Sequence, residues 1–170
     1  MTNNILQEID NTTKSLLDTI SSFPEEQFNT IPFEGSWTAG QVAEHLLLSE
    51  RGVPHVLAGS SRPLDRLPDE KAPAIQSMFL DYTIKMTSPE MIVPSDTPKD
   101  KAAILDALKR NREEIQRLAS QLDLTEICTS APFPVLGEFT RLEWAVFVVC
   151  HATRHIRQMK NIQAKLAALS

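Results

Sequence analysis

Residues 140–162 read TRLEWAVFVVCHATRHIRQMKNI, and one stripe through them decides the fold. Trp144, Val148, His151, His155, Gln158 and Ile162 recur at alternating intervals of four and three, which keeps them on one face of an α-helix. Thr140 followed by Glu143 matches a capping box, and Phe139 can pack on Trp144 across the first turn, so the helix starts at Thr140. The histidines occupy positions that a bundle would normally give to leucine. An i, i+4 pair lets both imidazoles converge on one ion from one helical face.

Working back along the chain, the segment 97–122 predicts a second bundle helix. Thr97 would cap it, Pro98 would take its first position and Asp100 its third. Its seam reads Ile104, Leu108, Asn111, Ile115, Leu118, Leu122, again alternating four and three. Upstream, WTAGQVAEHLL (37–47) carries another capping box in Thr38 and Gln41, with Trp37 placed to staple onto Val42. That helix should run through His45 toward Leu57, with Gly52 and Pro54 bending or ending its last turn. Leu6, Ile9, Leu16, Leu17 and Ile20 mark a helix nearest the N-terminus.

The connections are less regular. SSFPEEQFNTIPFEGS (21–36) reads as a loop packed by aromatic side chains. Prolines punctuate residues 58–97, where AIQSMFLDYTIKM (74–86) could form a short helix, and a segment of this length often covers a site. Such a crossover also suggests that the helices on either side of it need not be simple antiparallel neighbours. APFPVLGEF (131–139) is a second proline-rich loop with the look of a small hairpin. The expectation is an all-α four-helix bundle with a long proline-rich crossover, forming one domain over 1–170.

Composition narrows the function. A chain of 170 residues with 42% hydrophobic and 23% charged residues is ordinary for a globular domain, which argues against disorder. A formal net charge of -5 disfavours a nucleic-acid surface, which needs a clustered basic face. Arg141, Arg154, Arg157, Lys160 and Lys165 are the local exception and read as the solvated rim of the last helix. No apolar run approaches the ~20 residues of a membrane span, and MTNNILQEID lacks the pattern of an export signal, so a cytoplasmic protein is expected. Cys128 and Cys150 have no CxxC partner and are expected to be reduced thiols.

The candidate chemistry rests on His45, His151 and His155. A lone seam histidine is more often a hydrogen-bonded core residue than a ligand, but two imidazoles one turn apart in a core repel when charged and need partners when neutral. A metal ion resolves both problems, and three imidazoles leave a coordination position open. Ala152 follows His151, so the embedded glutamate of HExxH proteases is absent. His55, Cys150 and Glu44 lie off the ligand-bearing faces. Asn111 reads either as a register-fixing polar residue or as a contact behind a ligand or substrate. Gln158, Trp144 and Tyr82 could line the cavity or belong to the core.

The motifs W-T-x-x-x-V-x-E-H-L (37–46) and H-x-x-x-H-x-x-Q (151–158), in this helix order, resemble the DinB-like, also called YfiT-like, superfamily. The resemblance spans essentially the whole chain. It implies a four-helix bundle whose histidines, matched by His45, His151 and His155, hold one divalent ion, usually zinc or nickel, with room for water. Characterised members of that superfamily include thiol S-transferases that use bacillithiol or mycothiol and a mycothiol-dependent isomerase, while many have no known activity, so the resemblance does not choose a substrate. A homodimer is expected partly from that resemblance and partly from apolar Val146, Phe147 and Val149 on further faces of the last helix.

The leading expectation is transfer of a low-molecular-weight thiol, activated by the metal, to a small electrophilic substrate. The alternatives are hydrolysis by metal-activated water, and a non-catalytic dimeric stress-response or binding module in which the metal is structural.

Overall fold

The computed structural model describes residues 2–170. In chain order the helices are α1 (Thr2–Ser21), α2 (Glu25–Phe28), α3 (Ala39–Glu50), α4 (Val53–Ala58), α5 (Ala72–Leu80), α6 (Lys101–Gln121) and α7 (Arg141–Leu169). Strands β1 (Ser61–Arg62) and β2 (Ile127–Cys128) pair antiparallel, and a 3₁₀ turn covers Glu90–Ile92. The long helices α1, α3, α6 and α7 form the bundle. α1 packs on α6 and α7, and α3 packs on the same two, so α1 and α3 sit on opposite corners. α3 and α6 are therefore neighbours despite the long connection between them, and α5 in that connection packs against α7.

Local sequence sets these starts. Thr38 Oγ1 accepts from Gln41 N at 3.1 Å while Gln41 Oε1 accepts from Thr38 N at 3.0 Å. Thr140 and Glu143 make the same reciprocal pair at 3.1 and 2.9 Å, and the Phe139 and Trp144 rings meet edge-on at 5.4 Å. Each box satisfies amides that a helix end otherwise leaves without partners. The helix through His45 breaks at Arg51 and Gly52 and resumes as α4, with Pro54 in its first turn.

α6 begins later than expected, with Asp100 rather than Thr97 as its cap. The Asp100 carboxylate accepts from Ala103 N at 3.1 Å. Upstream, the Asn29 side chain grips both backbone groups of Lys99, accepting from its N at 2.7 Å and donating to its O at 2.9 Å. This clamp keeps Lys99 outside the helix. It passes so near α3 that a Cβ at Gly40 would lie 2.9 Å from Asn29 Oδ1.

The expected hairpin at 131–139 is present: Phe133 and Gly137 exchange backbone hydrogen bonds at 2.8 and 2.9 Å. Two sequence expectations about α7 change. Arg141 is buried, not part of a solvated rim: it donates to Leu57 O at 2.8 Å and Asp123 O at 3.0 Å and pairs with Glu126 at 2.6 Å. Phe147 is buried among Phe79, Phe133 and Trp144, so the chain's own core occupies one of the side chains expected to face a second copy.

Two apolar clusters fill the bundle. One gathers Ile9, Val53, Ile115 and Val148, the other Leu16, Leu46, Leu108 and Ile156. Three of the long helices also contribute polar side chains that meet one another: Thr13 from α1, Glu50 from α3 and Arg112 from α6. Arg112 and Glu50 are both fully buried and joined by two hydrogen bonds of 2.6 and 2.7 Å, while Arg112 Nη1 reaches Thr13 Oγ1 at 3.3 Å. This polar layer lies beside the histidines.

Candidate metal centre

His45 is supplied by α3, and His151 and His155 by successive turns of α7. All three are buried, with exposures of 2%, 5% and 8%. Their Nε2 atoms form a triangle with edges of 3.2, 3.1 and 3.1 Å. The other ring nitrogens face outward. His45 Nδ1 donates to Ile92 O at 2.8 Å, and His155 Nδ1 donates to Gln158 Oε1 at 2.7 Å. His151 Nδ1 is buried with no hydrogen-bond partner among the described residues.

Ile92 O can only accept, so the neutral His45 ring carries its proton on Nδ1. The Gln158 side chain, with its oxygen toward the ring, places the His155 proton on Nδ1 in the same way. Both Nε2 atoms then present lone pairs to the centre. His151 can supply at most one proton to the triangle while neutral, so lone pairs are left facing each other. A cation removes that repulsion. Nitrogen ligands about 2.0–2.1 Å from a tetrahedral ion stand about 3.3 Å apart, close to the observed edges. The donor set fits a divalent ion.

Burial lowers all three histidine pKa values. For His151 the shift is well below the usual range, from desolvation first and the neighbouring histidines and Arg112 next; for His155 it reaches about 4, from desolvation and His45. His45 is lowered by burial and partly restored by Ile92. The imidazoles are thus neutral and ready to ligate at neutral pH. An unfolded chain takes up protons on these histidines below about pH 6.5 while the folded one does not, so stability falls as pH drops toward 4. The melting temperature of chelator-treated protein should fall between pH 7 and pH 5, above the range of most carboxylates. A flat profile across that interval would contradict the burial of neutral imidazoles.

Rings wall the site. Phe147 stacks on His151 at 5.1 Å and 21°, Phe79 meets the same ring edge-on at 5.4 Å, and Trp37 lies 5.2 Å from His45. Of the residues named from sequence beside the histidines, Gln158 is in direct contact with one. Trp144 is buried one ring further out, against Phe147, with its indole N–H unpartnered among the described residues. Asn111 donates to Glu50 O at 2.9 Å and so ties α6 to the end of α3. Tyr82 is 43% exposed, lies under Arg157 at 4.4 Å, and lines a groove of about 680 Å³ that holds none of the three histidines.

Sequence reasoning missed Ile92, Phe79 and the Glu50–Arg112 pair. The pair had a signal: Arg112 follows Leu108 by four and precedes Ile115 by three, and Glu50 stands likewise between Leu46 and Val53. Backbone Ile92 had none.

A helical bundle with three convergent imidazoles in its interior is the class these observations define. The chain belongs to the DinB superfamily, whose family model matches residues 8–159. It is 22% identical over 149 residues to the uncharacterized protein YuaE of Bacillus subtilis (strain 168), covering 86% of this chain and 90% of that protein. Among solved structures it is similar to TT2238, a four-helix bundle protein, with a TM-score of 0.60 and 18% identity over 95% of this chain and 99% of that one. It is also similar to YfiT from Bacillus subtilis, described as a probable metal-dependent hydrolase with an unusual four-helix bundle topology. There the TM-score is 0.62 at 18% identity, over 98% of this chain and 87% of that one. These likenesses establish the shared fold. No described helix is long and apolar enough to cross a membrane.

Proposed function

We propose that His45, His151 and His155 hold one divalent cation and that the protein is a metal-dependent enzyme acting on a small molecule. The observation that carries this reading is the triangle of Nε2 atoms, 3.1–3.2 Å on each edge, whose lone pairs face one another. Neutral imidazole ligands suit zinc and nickel. A divalent ion in such a site lowers the pKa of a thiol or water that binds to it, making a nucleophile at neutral pH.

The chain's residues contribute orientation and exclusion of water. Ile92 O and Gln158 Oε1 fix two rings with Nε2 inward, and the Phe147, Phe79 and Trp37 rings keep the surroundings apolar. The nucleophile comes from solution. Cys128 and Cys150 are buried outside the cluster, and burial pushes both thiols up to about 11, so neither supplies a thiolate at neutral pH.

The leading reading is transfer of a low-molecular-weight thiol to an electrophile. Hydrolysis is the second, favoured by the description of the structurally similar YfiT as a probable metal-dependent hydrolase. The test is conjugation of several thiols to a haloarene, alongside hydrolysis of esters and amides without thiol, each with and without Zn²⁺ or Ni²⁺. Metal-dependent conjugation that survives Cys128→Ala and Cys150→Ala is the expected result. Turnover of esters or amides without thiol, and no conjugation, would move the assignment to hydrolase. Inactivity in both, with metal affecting only thermal stability, would contradict an enzymatic role.

A further inference from the structure

The connection between α5 and α6 is attached to the bundle unusually. Residues 81–93 are almost entirely exposed, and their larger apolar side chains Tyr82, Ile84, Met86, Met91 and Val93 do not enter the core. Apart from Tyr82 under Arg157, what holds the segment is a set of hydrogen bonds from the two helices that carry the histidines. Arg154, adjacent to His155, donates to Phe79 O and Asp81 O at 3.2 Å each and to Ile84 O at 2.5 Å. At the far end His45 itself donates to Ile92 O, and Glu44 accepts from Ser95 N at 2.9 Å. A segment with few buried apolar contacts opens at low free-energy cost.

We propose that residues 81–93 form a strap whose closure is linked to occupancy of the three-histidine site, with Arg154 as the residue that positions it. The proposal rests on the metal-binding reading above. A cation on His45 Nε2 draws electron density from the ring, which makes Nδ1–H a stronger donor to Ile92 O. The closed strap in turn holds His45 in the tautomer that keeps Nε2 free. Each event favours the other, and linkage makes the coupling reciprocal: a factor gained in strap closure on metal binding is the same factor gained in metal affinity on closure. Arg154 enters because it anchors the α5 end. Without it, the α5 end keeps the stacking of Tyr82 under Arg157 but loses its hydrogen bonds to the bundle.

Lys85 lies in the middle of the exposed strap, outside any helix or strand, so trypsin reads its opening. Cleavage there gives fragments 1–85 and 86–170, separable by mass. Saturating Zn²⁺ is expected to slow cleavage at Lys85 about tenfold, with a peptide substrate controlling for effects on trypsin itself. Arg154→Gln is expected to speed cleavage and to weaken Zn²⁺ binding in calorimetric titration by a factor no greater than the one by which Zn²⁺ slows cleavage of the wild-type protein, with circular dichroism verifying the fold. Stoichiometric Zn²⁺ binding with unchanged cleavage of the wild-type protein would overturn the linkage and leave the metal site standing. No Zn²⁺ binding at all would overturn both. A folded Arg154→Gln variant with unaltered cleavage and affinity would remove Arg154 from the role.

Discussion

Arg112→Met is expected to lower the unfolding free energy by about 3–5 kcal/mol, because it leaves the Glu50 carboxylate charged and alone in the core. In a chain of this size that is a fall of roughly 10 °C in melting temperature. The paired change Glu50→Leu with Arg112→Met removes both charges together, and it should recover most of the loss, since a buried ion pair offsets only part of its own desolvation. Denaturant melts of the two single variants and the double variant form the cycle that decides it. Equal destabilisation of the single and double variants would show that side-chain volume, not charge, governs this layer. The layer also touches the site: Arg112 is among the charges that hold His151 neutral, so its loss should ease protonation of that ring.

Alanine at His151 or His155 is expected to abolish stoichiometric metal binding while leaving the helices intact. Two imidazoles remain in either variant, and the loss of one of three ligands should weaken affinity by at least about 100-fold. The fold should tolerate the change because most of the two apolar clusters lies away from the imidazoles, Phe147 and Phe79 alone packing on His151, and the variants relieve the contact between inward lone pairs. Metal-free His151→Ala should therefore lose less stability at pH 5, relative to pH 7, than the metal-free wild type, having one fewer neutral imidazole to keep buried. Full metal retention in both variants, measured on dialysed protein, would contradict the assignment.

The bundle was legible because its signals are local or periodic. The capping boxes at Thr38 and Thr140 are three-residue patterns satisfied by their own helices, and the stripe from Trp144 to Ile162 needs only the helical repeat. The start of α6 was misread for the opposite reason. Thr97–Pro98 is a sound start signal in isolation, but Asn29, distant in sequence, holds Lys99 by both backbone groups and hands the cap to Asp100.

The same divide runs through the site. His45, His151 and His155 stood out because imidazoles at seam positions need an explanation, and Gln158 because it falls three residues beyond His155 on the same face. Tyr82 was named for its residue type, without a periodicity to place it, and it lies in an outer groove instead. The Ile92 carbonyl that orients His45 is backbone from an irregular, proline-punctuated segment, where no side-chain pattern announces a contact. Arg154 carried a charge on a helix otherwise read as a basic rim, and only the folded chain shows three carbonyl oxygens converging on it.

The central claim is that three imidazoles bind one ion and leave it open to a ligand from solution. X-ray absorption spectroscopy on Zn²⁺-loaded protein, with metal content measured on the same sample, tests it most directly. The account predicts one ion per chain, with three imidazole nitrogens at about 2.0–2.1 Å and at least one further light atom that exchanges with added thiol or water. Substoichiometric metal, a sulfur ligand in the absence of added thiol, or a fourth ligand from the protein that closes the site would contradict it.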